Sequence, residues 1–334
     1  MDNSGKIDPR IHSGLARNRV LVLGRAGMDF YADPPGTRME DARAFVAHLG
    51  GSAANIAVAL ARLGVQAALV SRVSDDAVGR FCLAELDRYN VDRSNVAVSG
   101  GAARTSLAVV ETRLQDCQSV IYRNGAADLT LTEDDIDAID VSAFGALVVT
   151  GTALADQGSA KATMRALAKA RAAGTVTVMD VDYRPYSWPS TTVAQAANLA
   201  AAQLCDIVVG NDVEFDLLAG AEDGGLAAAR NLVEGGASLV VYKRGEKGAV
   251  TLCPGHEFAT GIYRTEALKP TGAGDAFMGG MLAGLARGLS LRDAVHQGSA
   301  AAAIVVARVG CAPACPTLSE LDAFMSGRPD PIPQ

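Results

Sequence analysis

The sequence predicts an α/β protein with a predominantly parallel sheet, helices on both faces, and a smaller separate β-sheet. Short apolar runs rich in β-branched residues alternate with longer, alanine-rich segments of helical periodicity, and this alternation is typical of a buried parallel sheet. Two other segments, 25–48 and 103–127, alternate apolar and polar residues, as half-exposed antiparallel strands do. We interpret these two segments as a small sheet beside the main domain that acts as a lid.

The elements follow one another along a single domain, predicted over residues 19–326. The buried strands are predicted at 19–24, 67–73, 145–151, 175–182, 206–210 and 238–243. Helices are predicted at 52–63, 76–88, 158–173, 192–202, 212–219, 224–234, 274–287 and 291–308. We expect the termini, 1–18 and 327–334, to be flexible.

Composition and charge exclude several classes of protein. The 334 residues are 49% hydrophobic, enough for a large core, and the formal net charge of −7 without a basic cluster argues against a nucleic-acid partner. The longest apolar run, 300–307, is far shorter than the roughly 18 residues that a membrane span needs. Since the N-terminus has no apolar signal region either, we expect a cytoplasmic protein that does not bind membranes.

The six cysteines are predicted to be ordinary reduced thiols. Only Cys311 and Cys315 lie close together, and a zinc site would need further Cys or His ligands at matching spacing, which the four histidines do not supply.

The stretch PTGAGDAFMGG places three small residues before a carboxylate at the start of an apolar helix. Gly272, Ala273 and Gly274 leave backbone N–H groups free at the positive end of the helix dipole, which suits a phosphate. Asp275 would repel that phosphate, so its presence indicates a general base that takes a proton from a substrate hydroxyl. The alternative is that Asp275 only caps the helix.

Two further segments are candidates for a nucleotide site. In KRGEKGAV, Lys243 precedes Gly245 and Gly248, which allow the backbone to approach a nucleotide or only shape a turn between strands. In GNDVEFD, Asn211 and Glu214 follow a buried strand, so Glu214 either holds water on a Mg²⁺ ion or belongs to a helix cap. The chain has neither a P-loop nor a GxGxxG fingerprint.

The N-terminal third offers residues for a sugar. Asp29 in GRAGMD and Asn55 in GGSAANIAVALARLG have the donors and acceptors that bind sugar hydroxyls. The alternative interpretation is that Gly50 and Gly51 shape a turn while Asn55 lies on an amphipathic helix.

Together, GGSAANIAVALARLG and PTGAGDAFMGG resemble the ribokinase-like (PfkB) family of sugar kinases, over nearly the whole chain. The resemblance implies a Rossmann-like core with a β-sheet lid, ATP as donor, and Mg²⁺. It further implies that Asp275 is the catalytic base and that Gly272, Ala273 and Gly274 form the anion hole. The other roles it implies are Mg²⁺ and phosphate binding by Asn211 and Glu214, nucleotide binding by Gly245 and Gly248, and sugar binding by Asp29, Gly50, Gly51 and Asn55.

Strings such as YRNGAADLTL and DVDYRPYSW resemble the members that phosphorylate 5-dehydro-2-deoxygluconate at its C6 hydroxyl in bacterial myo-inositol breakdown. Another sugar or sugar acid, such as fructose or 2-keto-3-deoxygluconate, remains the alternative, as does a non-catalytic sugar-acid sensor. A sugar acid needs a guanidinium for its carboxylate, and the candidates are Arg104, Arg123 and, favoured, Arg184. Exposed edges of the lid make a homodimer plausible.

One position departs from the family pattern. Many members have an aspartate near a monovalent-cation site where this chain has Lys269. We predict that the ammonium group takes the place of the cation and makes the activity independent of potassium.

Overall fold

The computed structural model describes residues 7–333 and contains a nine-stranded main sheet. Its strands lie in the order β13-β12-β11-β10-β9-β8-β1-β4-β5, and a second sheet has the order β3-β2-β6-β7. The strand bounds are β1 Arg19–Leu23, β2 Gly27–Asp33, β3 Ala44–Gly50, β4 Gln66–Ser74, β5 Val96–Ser99, β6 Ser106–Val110, β7 Ser119–Tyr122, β8 Ala146–Thr150, β9 Val176–Asp180, β10 Ile207–Asn211, β11 Leu239–Lys243, β12 Ala249–Cys253 and β13 His256–Thr260.

Eleven α-helices occur in the described part of the chain. They are α1 Pro9–Leu15, α2 Ser52–Arg62, α3 Ala77–Arg88, α4 Glu133–Asp137, α5 Gln157–Ala172, α6 Thr191–Ala202, α7 Asp212–Ala219, α8 Gly225–Glu234, α9 Ala273–Ala286, α10 Leu291–Val306 and α11 Leu318–Met325. None of these helices is long and apolar enough to cross a membrane.

The main sheet is parallel from β5 to β11, and only β12 and β13 run antiparallel to their neighbours. Strands such as β8 and β9 are buried at every position, which explains why apolar residues predominate in their sequences. All six predicted strands and all eight predicted helices are present. The hairpin of β12 and β13 follows the last predicted strand directly.

Helices cover both faces of the main sheet, as predicted. Along β1, Val20 and Val22 belong to a core shared with α2, α9 and α10, whereas Leu21 and Leu23 belong to a second core with α5 to α8. This alternation follows from the two-residue period of a strand. Each face is therefore sealed by its own apolar layer.

The small sheet forms where the lid was predicted, with one correction to its pairing. β2 pairs antiparallel with β3, and β6 pairs antiparallel with β7, but β2 and β6 are parallel. The reason lies in the chain path. β2 continues from β1 and β6 continues from β5, and β1 and β5 both run in the direction of β4, so the two lid strands enter the small sheet in the same direction.

Both ends of the described chain, which the sequence predicted to be flexible, contact the rest of the protein. Residues 9–15 form α1, capped by the Asp8 side chain, and its Ile11 and Leu15 are fully buried. Near the other end, the N–H of Gly261 donates a 3.1 Å hydrogen bond to the carbonyl of Pro331. The first six residues and Gln334, which that expectation also covered, lie outside the described residues.

The six cysteines lie in the described part of the chain. All six thiols are free, and five of them are buried. Within residues 7–333 no cluster of three His, Cys, Asp or Glu side chains has the geometry of a metal site.

Candidate active site

A cleft of about 350 Å³ lies between the lid and the carboxyl ends of the main-sheet strands. The lid contributes Tyr31 and Ile121, and the loops after β1, β8 and β9 contribute polar and charged groups. Among the residues that line it are Arg25, Asp29, Asn55, Arg123, Asp182, Arg184, Gly272 and Asp275. Open α/β sheets bind their ligands at this edge.

The loop before α9 has the backbone geometry of an anion site. Gly272 adopts a left-handed conformation (φ 84°) at the helix N-cap, without a side-chain cap on the first N–H groups. A Cβ atom placed on Gly272 would lie 2.7 Å from Cys311 Sγ, so the position requires glycine. Ala273 and Gly274 follow in the first turn, and their N–H groups lie at the positive end of the helix.

Asp275 lies in this first turn with its carboxylate directed into the cleft. Asn55 Nδ2 donates a 2.8 Å hydrogen bond to Asp275 Oδ2. Burial, and then the negative charge of Asp182, raise the pKa of Asp275 to about 6. A carboxylate with this pKa is ionised at neutral pH and still basic enough to accept a proton from a bound hydroxyl.

The predicted sugar-binding residues lie together beside Asp275. Asp29 and Asn55 are buried and line the cleft, yet Oδ1 of each side chain has no hydrogen-bond partner within the described residues. Gly50 allows Asp29 to pack there, because a Cβ on Gly50 would lie 1.9 Å from Asp29 Oδ1. Gly51 is the N-cap of α2, which carries Asn55. Two unsatisfied buried acceptors facing a cleft fit a ligand with several hydroxyl groups.

The predicted nucleotide residues lie on the other side of the α9 N-terminus. Lys243, at the end of β11, places its ammonium group beside the anion loop, because a Cβ on Gly274 would lie 3.4 Å from Lys243 Nζ. Gly245 begins a short 3₁₀ turn that ends at Gly248, whose carbonyl accepts a 2.7 Å hydrogen bond from the Arg244 N–H. The structure therefore brings this loop and the anion loop to the same edge of the sheet.

Asn211 and Glu214 form a capping box at the start of α7, which was one of the two interpretations left open. Asn211 Oδ1 accepts from the Glu214 N–H at 2.9 Å, and Glu214 Oε2 accepts from the Asn211 N–H at 2.7 Å. Burial raises the pKa of Glu214, and the nearby Lys243 opposes that rise. The cap does not exclude a role toward Mg²⁺, since a carboxylate oxygen has more than one lone pair.

The three candidate arginines for a substrate carboxylate have different surroundings. Arg123 lines the cleft, but its guanidinium already donates to Asp128 and, at 2.9 Å, to the carbonyl of Thr152. Arg184 also lines the cleft and forms a 3.0 Å ion pair with Asp182. Arg104 is largely exposed and donates to backbone carbonyls of its own loop. The structure thus leaves Arg184 more accessible than Arg123 to a ligand.

Sequence reasoning missed two charged groups of the cleft, Arg25 and Asp182. Asp182 is buried and accepts hydrogen bonds from Ser52 Oγ (2.5 Å) and Thr152 Oγ1 (3.0 Å). Although burial acts to raise its pKa, the Arg184 charge and these hydrogen bonds hold the pKa of Asp182 below its usual value. Each of the two residues lies two positions after the end of a buried strand, and that position was the available signal.

Lys269 is fully buried next to the anion loop. Its Nζ donates a 2.5 Å hydrogen bond to the carbonyl of Thr271, the residue before Gly272. Its positive charge also acts on the buried Asp29 carboxyl and on the Cys311 thiol. A buried ammonium group is costly unless it has partners, so this position indicates a role at the site.

Comparison with known proteins agrees with this arrangement. The profile of the pfkB family carbohydrate kinases matches residues 17–318. The chain belongs to this family. The pfkB kinase fold, a large and mostly parallel sheet with helices plus a smaller sheet, is the fold that the sequence predicted, and both the fold and the family predictions are confirmed.

Individual pfkB kinases match over nearly their full length. A 5-dehydro-2-deoxygluconokinase from Photobacterium profundum is 42% identical over 314 residues, covering 92% of this chain and 95% of that protein. A second 5-dehydro-2-deoxygluconokinase, from Shouchella clausii, is 38% identical over 309 residues, with coverages of 92% and 95%. Among solved structures, a fructokinase with bound ATP from Xylella fastidiosa has a TM-score of 0.83 at 26% identity, covering 92% of this chain and 98% of that one.

Proposed function

We propose that this carbohydrate kinase transfers a phosphoryl group from ATP to the C6 hydroxyl of 5-dehydro-2-deoxy-D-gluconate, giving 6-phospho-5-dehydro-2-deoxy-D-gluconate. One structural observation supports this best. A single cleft holds a carboxylate of suitable pKa, a helix N-terminus free for phosphate, and arginine side chains for a substrate carboxylate. The two full-length relatives named for this reaction support the choice of substrate.

The residues present fit a nucleotide and its divalent cation. Gly272, Ala273 and Gly274 would hold the transferred phosphoryl group, and Lys243 and the loop from Gly245 to Gly248 would hold the rest of the nucleotide. Mg²⁺ neutralises charge on the phosphates, and Glu214 would contact it through water.

The protein side of the reaction is positioning and one proton transfer. Asp29 and Asn55 accept hydrogen bonds from sugar hydroxyls through their unsatisfied oxygens. Asn55 also holds Asp275 through Nδ2, so that the carboxylate faces the hydroxyl that reacts. Asp275 then takes the proton from that hydroxyl as the oxygen attacks phosphorus. The lid strands β2 and β6 cover the cleft and exclude water, which would otherwise compete as acceptor.

A substrate panel tests the proposal. ADP release would be measured with 5-dehydro-2-deoxygluconate, 2-keto-3-deoxygluconate, gluconate, fructose and ribose, and the phosphorylated carbon would be assigned by NMR. We expect the highest kcat/KM for 5-dehydro-2-deoxygluconate, with phosphate on C6. A higher kcat/KM for fructose or for 2-keto-3-deoxygluconate would assign the protein to that substrate instead.

The non-catalytic alternative has its own outcome in the same assay. A sugar-acid sensor on the kinase scaffold would bind an acid of the panel without releasing ADP with any compound. The ordered contact of Asp275 with Asn55 and the free anion loop argue against a sensor, since binding alone needs no proton acceptor.

A homodimer through the lid remains a proposal. The edge strands β3 and β7 carry exposed apolar side chains, among them Phe45, Val46, Val120 and Tyr122. Exposed strand edges with apolar residues favour pairing with a second copy. Light scattering should give the mass of a dimer, and Val46→Lys should shift the protein to the monomer.

The cytoplasmic location of the protein likewise stays a prediction.

A further inference from the structure

We propose that Arg25 anchors the carboxylate of the sugar acid and so selects acids over neutral sugars. The inference rests on the proposed function, because it assigns a residue to the acid group of that substrate. Arg25 follows β1 and lies in the same cleft as the catalytic Asp275. The sequence analysis assigned Asp29 of the same stretch, GRAGMD, to the sugar and gave no role to Arg25.

The guanidinium of Arg25 is nearly buried but has few partners. Its side chain is 9% exposed, and its one hydrogen bond within the described residues runs from Nη1 to Ser106 Oγ on β6, at 2.9 Å. A guanidinium has five N–H donors, so most of them are free toward the cleft. Burying a charge with a single neutral partner is unfavourable unless a ligand completes the pairing.

The nearest carboxylate, that of Asp29, does not complete the hydrogen bonding of the Arg25 guanidinium. Asp29 Oδ1 lies 4.0 Å from Arg25 Nη2, which is too long for a hydrogen bond, and that same oxygen has no other partner in the described chain. Both groups therefore keep unused hydrogen-bonding capacity on the same side of the cleft. A ligand that carries a carboxylate and a hydroxyl satisfies both at once, the carboxylate on Arg25 and the hydroxyl on Asp29.

The other arginines of the cleft are already paired with acids. Arg123 is held by Asp128, and Arg184 is held by Asp182. Arg25, Arg123 and Arg184 line the same cleft as Tyr186. Burial raises the pKa of the Tyr186 hydroxyl, and the positive charges of the three arginines oppose that rise. Of these three, Arg25 is the one whose nearest described carboxylate lies beyond hydrogen-bond distance, and the other two add favourable potential around it.

A matched pair of ligands isolates the carboxylate. D-Gluconate and D-glucitol differ only in having a carboxylate or a CH₂OH group at one end, and their dissociation constants would be measured by calorimetry on the wild type and on three variants. Arg25→Met removes the charge, and Arg25→Lys keeps the charge but loses the bidentate fork. Arg165→Met is the control, because it removes one positive charge from a surface ion pair with Asp137.

We expect Arg25→Met to weaken gluconate binding about 10–100-fold, the loss typical of a charge-assisted hydrogen-bond pair, and to leave glucitol binding and the KM for ATP unchanged. Arg25→Lys should lose about 10-fold for gluconate, since Lys binds as a point charge. If Arg25→Met does not fold, as the loss of its thermal unfolding transition would reveal, the Lys variant decides the question. The control should match the wild type with both ligands.

Three results would overturn the inference. The first is that Arg25→Met and Arg25→Lys leave the affinity for gluconate unchanged. The second is that the variants lose affinity for gluconate and for glucitol equally. The third is that the wild type binds gluconate no better than glucitol. The substrate panel is a separate test. A protein that binds gluconate through Arg25 but does not phosphorylate 5-dehydro-2-deoxygluconate would refute the proposed function and support this inference. If the protein phosphorylates that acid and Arg25→Met leaves the KM for it unchanged, the proposed function is supported and this inference is refuted.

Discussion

Asn55 Nδ2 donates a 2.8 Å hydrogen bond to Oδ2 of Asp275, although the two residues are 220 positions apart in the chain. The bond joins α2, which begins at the lid, to α9, which begins at the anion loop. It fixes the direction of the carboxylate and favours its charged form. The two motifs that stood out in the sequence are thus the two halves of one site.

The pH dependence of turnover should report the pKa of Asp275. Because the carboxylate must be ionised to accept a proton, kcat/KM should be level above pH 6 and fall about tenfold per pH unit below it. Asn55→Ala removes a hydrogen bond to the charged form, so the acid limb of the profile, where kcat/KM falls, should move to higher pH. Asp182→Asn removes a negative charge and should move it to lower pH. An acid limb that stays in place in both variants would contradict the assignment.

Asp275 should also cost the protein stability. Its pKa is about 6 in the folded protein, against a usual value of 3.8, so the folded state binds the proton more tightly. The sign follows from linkage: the carboxyl group disfavours folding above pH 6, and this penalty vanishes below about pH 4. Asp275→Asn should therefore raise the free energy of unfolding by about 1–3 kcal/mol at pH 7.5, less where water in the cleft screens the charge. Urea unfolding of the wild type and the variant at pH 7.5 and pH 4 measures this difference in the free energy of unfolding. Equal stability of the two proteins at pH 7.5 would count against the raised pKa.

The buried Lys269 should make the kinase independent of potassium. Its Nζ donates a hydrogen bond to the carbonyl of Thr271, which places the ammonium group beside the anion loop. We expect the same kcat in potassium, sodium and Tris buffers of equal ionic strength. Lys269→Met should lower kcat, because the loop loses that charge and its hydrogen bond. Strong activation of the wild type by potassium would refute this prediction.

The N-terminal helix α1 should contribute to the stability of the protein. Ile11 is fully buried against the main core, so Ile11→Ala should destabilise the protein by about 2–4 kcal/mol. Ser13 on the same helix is exposed, and Ser13→Ala should stay within about 0.5 kcal/mol of the wild type. Thermal unfolding of both variants compares them. Equal melting temperatures would restore the expectation of a flexible terminus.

Most of the fold was predictable because burial on both faces leaves a strong pattern. Strands such as β8 and β10 consist mainly of buried apolar residues, and long helices such as α5 show clear periodicity. The parallel pairing of β2 with β6 was not predictable, because it depends on the directions of β1 and β5 in another sheet. Helix α1 was missed because seven residues give too little periodicity.

The candidate site was predictable where local motifs define it and not where distant segments meet. Gly272 and Asp275 stand close together in the chain, so their chemistry was evident from the sequence. The pairing of Arg123 with Asp128, and the incomplete pairing of Arg25, depend on side-chain directions that no local pattern contains. The sequence therefore predicted arginines of the cleft, such as Arg123 and Arg184, but not the incompletely paired guanidinium of Arg25.

Turnover of Asp275→Asn with ATP and 5-dehydro-2-deoxygluconate tests the central claim most directly. Asparagine keeps the shape of the side chain and cannot accept the proton. We predict that kcat falls about 10²-fold or more while the dissociation constant for the sugar acid is largely kept, as for loss of a general base. A variant that turns over at nearly the wild-type rate would show that Asp275 is not the base.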